Sequence, residues 1–196
     1  QLDKQIEYLL EQNVIERNND ILYASPLLAI KKNVKKSQKH MSKPTTPQYR
    51  LVLDFRSLNS ASLYHKFHMP NFSHFLDILA EKRPKYFSCL DLANGFSQLA
   101  LHPDSRKLTG FHWNGSSFNF KTTAQGLNGA PSSFSKCLSI ILNKYINKCI
   151  CIYIDDILIY SDSFDQHLVD IDNILTALHD ANLKVSQSKC SFAKTS

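Results

Sequence analysis

No stretch of this 196-residue chain contains about 18 consecutive apolar residues, so no membrane-crossing helix and no membrane partner are expected. The chain has no initiating Met, and its opening QLDKQIEYLLEQ is charged and periodic where a signal peptide would be apolar, so a piece of a longer polypeptide is expected. The five cysteines, Cys89, Cys137, Cys149, Cys151 and Cys190, are odd in number and lack metal-ligand spacing. Cys149 and Cys151 stand too close in sequence for an ordinary disulfide, which leaves buried free thiols in a reducing compartment. Internal repeats and low-complexity tracts are also missing. The most informative absence is of one sign of charge. From Ile21 to Leu53 there is no Asp or Glu, while Lys31, Lys32, Lys35, Lys36, Lys39, Lys43 and Arg50 all fall there. Acidic residues gather instead toward the C-terminal third, at Asp155, Asp156, Asp162, Asp165, Asp170 and Asp172. The net charge of +6 thus divides into a basic region suited to a polyanion and an acidic region suited to cations. Taken alone, the lysine run reads equally well as a solvated loop.

The remaining composition, 43% hydrophobic and 20% charged, is that of a globular domain or of two small lobes sharing a core. Leu2, Ile6, Leu9, Leu10 and Val14 recur at helical spacing. ASPLLAIKK reads as a strand entered at Pro26, and YRLVLDF as its return, so residues 27–56 form a hairpin whose tip carries the lysines. MPNFSHFLDILAEK reads as a helix opening near Pro70, and KYFSCLDLANGF as a strand running into a turn at Asn94-Gly95. TGFHWNGSSFNFKT is a hairpin turning at Asn114-Gly115, and APSSFSKCLSIILNKYINK a helix starting near Pro131. CICIYIDDILIYS reads as strand, tight turn, strand; SFDQHLVDIDNILTALHDAN as a helix; LKVSQSKCSF as a returning strand. Helices and antiparallel strands mix without a βαβ rhythm, which predicts an α+β fold.

The YIDD turn poses the chemical question. Two adjacent carboxylates between apolar strands raise one another's pKa unless something cationic compensates. Proton sharing, a salt bridge or a metal ion would each answer this, and a plain Asp-rich turn remains open as well. Asp91, at the end of another strand-like run, supplies a third carboxylate that could meet Asp155 and Asp156 on adjacent strands. Hard oxygen donors at strand ends suit Mg²⁺, and two such ions suit nucleotidyl transfer.

In order along the chain, ASPLLAIKK, YRLVLDFRSLNS, FSCLDLANGFSQLAL, QGLNGAPSSF, YIDDILIYS and LKVSQSKCSF make the sequence resemble the reverse transcriptase domain of retroviruses and gypsy-type long-terminal-repeat retrotransposons. The resemblance covers about residues 6–195. It implies a right-hand polymerase fold, with a palm of antiparallel sheet backed by helices and a fingers subdomain. Fingers would occupy 1–63 and 100–129, and palm 64–99 and 130–196. It implies an RNA-directed DNA polymerase that adds deoxynucleoside monophosphate to a primer 3′-hydroxyl on an RNA or DNA template. By that resemblance Asp91, Asp155 and Asp156, with the Leu92 carbonyl, would hold two Mg²⁺ ions, Mn²⁺ being a substitute. Lys189 would protonate the leaving pyrophosphate. Lys32 and Arg50 would clasp the triphosphate, with Lys43 competing for the lysine role. Gly95, Phe96, Gln125 and Gly126 would line the nucleotide, Phe96 as the gate against a ribose 2′-hydroxyl. Arg56, Tyr153 and Ile154 would lie near template and primer end. Thumb, connection, RNase H and integrase regions would belong to the full Pol polyprotein, acting in the cytoplasm within a virus-like particle.

The sequence departs from the family at four places, the first being a loop between Lys32 and Arg50 longer than in the compact retroviral form. TTAQG lacks the proline that usually precedes Gln-Gly, the gate is Phe where many gypsy-type enzymes carry Tyr, and Asn94 replaces an acidic or small residue. None removes a carboxylate. An RNA-dependent RNA polymerase also carries paired Asp in a hairpin turn, but Phe96 argues against it. A captured fragment that only binds nucleic acid is the non-enzymatic alternative.

Overall fold

The computed structural model describes residues 2–31, 49–63, 72–153 and 155–195. Lys32, Lys43, Pro70 and Ile154 lie outside the described residues, as does the expected lysine-bearing hairpin tip. In chain order the described helices are α1 (Leu2–Glu11), α2 (Arg56–Ala61), α3 (Phe72–Lys82), α4 (Pro103–Arg106), α5 (Ala130–Ile141) and α6 (Phe164–Asp180). The strands are β1 (Ile15–Arg17), β2 (Leu27–Lys31), β3 (Tyr49–Leu53), β4 (Tyr86–Asp91), β5 (Phe111–Trp113), β6 (Ser116–Phe120), β7 (Ile150–Tyr153), β8 (Asp156–Ser161) and β9 (Ser191–Thr195). The described strand pairs are antiparallel, and helices and strands mix as an α+β fold requires. The chain divides into two units, one of Gln1–Leu63 and Ala100–Leu127, the other of Tyr64–Leu99 and Asn128–Ser196.

In the first unit, β6 runs between β1 and β5, with Ile15 opposite Phe120 and Phe111 opposite Phe118. These partners build an aromatic core: Phe111 stacks on Phe118 at 5.4 Å, and Phe55 meets Phe120 edge-on at 6.3 Å. The β5–β6 turn takes φ of 45° at Asn114 and 73° at Gly115. Two consecutive positive φ values match the right-handed strand twist, as the Asn-Gly pair predicts. β2 and β3 pair as expected, Ile30 opposite Arg50, but β3 ends at Leu53 and Arg56 opens α2 instead of continuing the hairpin. The Gln5 side chain of α1 bonds the first half of β3, donating to the Tyr49 carbonyl and accepting from the Leu51 amide. The helical spacing read through Val14 also overruns: α1 ends at Glu11, Asn13 turns at φ 56°, and Ile15 is buried in β1. Pairing with Phe120 holds Ile15 in a strand, a partner more than a hundred residues away that local periodicity cannot register.

In the second unit the strand order is β7-β8-β4-β9. Side chains alternate across a strand. Leu90 of β4 and Ile157 and Ile159 of β8 therefore share one face, where Phe134, Leu138 and Leu142 of the α5 region and Ile174 and Leu178 of α6 bury them. Ser88 and Ser161 lie on that face too, bonded to the two ring nitrogens of His167 at 2.7 and 2.9 Å. Ser161 donates onward to Asp170 at 2.6 Å, and the Ala193 amide donates to Ser88, so one buried polar network ties β4, β8, β9 and α6 together. The last segment differs from expectation. The strand read from Leu183 onward begins only at Ser191, preceded by a 3₁₀ turn at Gln187–Lys189.

Candidate active site

The same alternation that buries Leu90 and Ile157 sends the next residues to the opposite face. Asp91, the last residue of β4, faces Asp156, the first of β8, as a direct partner across the sheet. Direct partners in an antiparallel pair have Cα atoms about 4.5–5.5 Å apart, close enough for both carboxylates to sense each other's charge. Tyr153 of β7 is the partner of Asp156 on its other side, and Asp155 sits in the turn between.

Lys189 enters from the 3₁₀ turn. Its ammonium lies 3.1 and 3.4 Å from the two Asp91 oxygens. Leu92 is buried and bridges Val185, the Ser186 amide donates to the Asp91 carbonyl at 2.8 Å, and the Ala93 amide donates to the Lys184 carbonyl at 2.9 Å. The Gln98 side chain adds three bonds, donating to the Ala93 and Lys184 carbonyls and accepting from the Lys184 amide. Gln98 closes a 3₁₀ turn, Gly95–Gln98, that starts on left-handed Asn94 and rests on α5. A Cβ at Gly95 would stand 3.0 Å from the Phe134 ring, so glycine lets the turn approach. Phe96 packs edge-on against Phe134 at 5.6 Å and is partly buried against the core.

The electrostatics follow from this geometry. Asp156 is pushed above the ordinary carboxylate value by burial first, then by the negative charges of Asp155 and Asp91, with Lys189 opposing. The Cys89 thiol is likewise pushed up, by burial and then by Asp156, Cys190 and Asp91. Among the described residues, no three His, Cys, Asp or Glu side chains stand together at the spacing of a formed metal site. The donor set nevertheless fits a divalent cation: Asp91 and Asp156 pair across one sheet end with Asp155 next in the turn, and the repulsion that raises Asp156 is what such an ion relieves.

The other expected site residues lie in the first unit. Arg50 projects exposed from β3, and Gln125 and Gly126 form an exposed turn whose Gly126 carbonyl accepts from Asn59 at 2.8 Å. Gly126 has φ of 97°, which favours glycine. Arg56 grips Asp54 with Nε at 2.9 and 3.1 Å from its two oxygens and a terminal nitrogen at 2.6 Å. The sequence reading passed over Gln98. Its partner Lys184 is 86 residues away, and an amide after a turn carries no local signature of such a contact.

Sheet, helices and acidic strand end together have the right-hand polymerase fold. The foamy viral protease-reverse transcriptase, whose structure was solved in complex with RNA/DNA hybrid, superposes with a TM-score of 0.79 at 25% identity, over 97% of this chain and 24% of that one. Residues 31–196 match the family described as reverse transcriptase (RNA-dependent DNA polymerase), and the chain belongs to that family. It is 32% identical over 99% of its length to the retrovirus-related Pol polyprotein from transposon 297 of Drosophila melanogaster. It is 33% identical over its full length to the Pol polyprotein from transposon gypsy of the same organism. The chain spans 17% and 18% of those two relatives.

Proposed function

We propose that this chain carries the nucleotidyl-transfer centre of an RNA-directed DNA polymerase, adding deoxynucleoside monophosphate to a primer 3′-hydroxyl on an RNA or DNA template. The pairing of Asp91 with Asp156 across β4 and β8, with Lys189 on Asp91, is the observation that carries this reading. Asp91, Asp155 and Asp156, with the Leu92 carbonyl, are the groups that would hold Mg²⁺ or Mn²⁺. When bound, the ions supply activation of the attacking hydroxyl and charge neutralisation on the leaving group.

The chain's own residues do the rest. Lys189 holds a proton within reach of a strand-end anion and can pass it to departing pyrophosphate as a general acid. Arg50, with Lys32, offers positive charge to the triphosphate, Arg as a fork of donors and Lys as a point charge. Gln125 and Gly126 supply an exposed turn for sugar and base. Phe96, braced edge-on by Phe134, is the ring that excludes a ribose 2′-hydroxyl. Arg56, Tyr153 and Ile154 contact template and primer end. In this reading the unit of 1–63 and 100–127 is the fingers and the other the palm. Primer extension with Mg²⁺ or Mn²⁺ tests it directly. Asp156→Asn is expected to lower the rate by about 100-fold or more. Wild-type extension by that variant would overturn the assignment.

A further inference from the structure

Lys189 reaches Asp91 across 98 positions of sequence, so something must seat it there. β9 begins only at Ser191, and the stretch from Leu183 to Cys190 runs as bridge and turn, outside the regular ladder. Gln98 bonds this stretch the way a neighbouring strand would: Oε1 accepts the Lys184 amide at 2.6 Å while Nε2 donates to the Lys184 carbonyl at 2.9 Å. The remaining Nε2 hydrogen goes to the Ala93 carbonyl at 2.8 Å, so the amide is spent on main chain from both segments. Gln98 itself is fixed by the 3₁₀ turn that Gly95 allows against the fully buried Phe134 ring. A continuous path of contacts therefore leads from the packed core through Gln98 and Lys184 to Lys189 and Asp91.

We propose that Gln98 is a positioning residue that seats the Lys189 ammonium on the Asp91 carboxylate, making Lys189 the counter-ion a divalent cation must displace. This rests on Asp91, Asp155 and Asp156 being the cation-binding set. Both Asp91 oxygens have Lys189 within 3.4 Å, and an ion drawing on them competes with that ammonium. Lys189 thus has two opposed roles: it weakens cation binding and supplies the proton for turnover. Loss of Gln98 loosens the seat and weakens both. Leucine has nearly the shape of glutamine but makes none of the three bonds, and a glutamate would forfeit the two donated ones.

Mn²⁺ affinity of the full chain, read by electron paramagnetic resonance of the free ion, tests this without turnover. Lys189→Met is expected to tighten Mn²⁺ by about two- to fivefold, the range for a partly exposed carboxylate–ammonium pair. Gln98→Leu is expected to tighten it by less, and the double variant no more than Lys189→Met alone, because both changes remove one interaction. Amide hydrogen exchange at Lys184 should speed up in Gln98→Leu and stay unchanged in Lys189→Met. Should Gln98→Leu not fold, Gln98→Asn, one methylene short, is read for the same direction. Unchanged or weaker Mn²⁺ binding in the folded Gln98 variant, or additive effects in the double variant, would overturn the proposal. Asp156→Asn separates the two levels. If it leaves Mn²⁺ binding intact, the cation-binding set itself is wrong. If it weakens binding while Gln98→Leu fails to tighten it, only the positioning role falls.

Discussion

In the unit of residues 1–63 and 100–127, the tightest ion pair joins near neighbours. Asp54 and Arg56, two residues apart, form a forked pair that holds the Asp54 carboxyl down at about 2. In the unit of 64–99 and 128–196, Asp91, Asp155 and Asp156 crowd one strand end, and Asp156 is pushed upward. The cores differ too. The first is aromatic, built on Phe55, Phe111, Phe118 and Phe120; the second is aliphatic, with Leu90, Ile157, Ile159 and Ile174 beneath Phe134 and a buried polar network beside them. A local ion pair needs little from its scaffold. A cluster of like charges persists only where a well-packed sheet holds its members in place, and the second unit supplies that sheet.

The largest test of this contrast removes the packing under the acidic edge. Phe134→Ala is expected to cost about 3–5 kcal/mol in urea unfolding, because a fully buried ring leaves a cavity and the Gly95–Gln98 turn loses its floor. Next comes the polar network. His167→Leu strips Ser88 and Ser161 of a buried partner and should cost about 2–4 kcal/mol.

The histidine also sets a pH dependence. Burial depresses its folded-state pKa below the ordinary 6.5, so the stability it contributes is complete above that value and is lost as pH falls through it toward the lowered one. Urea titrations of wild type at about pH 5 and 7.5 should show that loss, and His167→Leu should not. Gly95→Ala is smaller, about 1–2 kcal/mol, since the new Cβ forces the Phe134 ring to shift. Thermal melts measure it.

The smallest effects have opposite signs in the two units. Asp156 has a raised folded-state pKa, so the native state binds its proton more tightly and stability falls as pH rises upward from 3.8. Asp156→Asn should therefore raise the melting temperature at neutral pH, with the gain shrinking toward about pH 4, even as primer extension collapses. Asp54 has a lowered pKa, so its pair helps above 3.8 and is lost as pH falls toward about 2. That pair is fully exposed, and Asp54→Asn should leave the melting temperature nearly unchanged. A gain of stability in Asp54→Asn, or a loss in Asp156→Asn, would erase the contrast between the units.

Much of this was legible in the sequence, for local reasons. Asn114-Gly115 specified its hairpin because two positive φ values are inexpensive only for such residues. The period-2 and period-3.6 patterns located β4, β8 and α6 to within a few residues, since burial of one face dictates spacing, whereas the helix read through Lys148 ends at Ile141 and gives way to turns. The acidic strand ends were visible as residue types, and their order among six motifs carried the family resemblance that the match over 31–196 establishes. Val14 and Leu183 show where this reading stops: both lie in stretches whose structure is decided by partners far along the chain.

By itself, then, the sequence determined which residues are acidic, basic or apolar, where the chain turns, and the family to which it belongs. Only the tertiary structure decided that Asp91 faces Asp156, that Lys189 rests on Asp91, and that Gln98 ties the two segments together. Register between strands some 65 residues apart and side-chain bonds across 86 positions are set by how the core packs, a many-body outcome that no local pattern encodes.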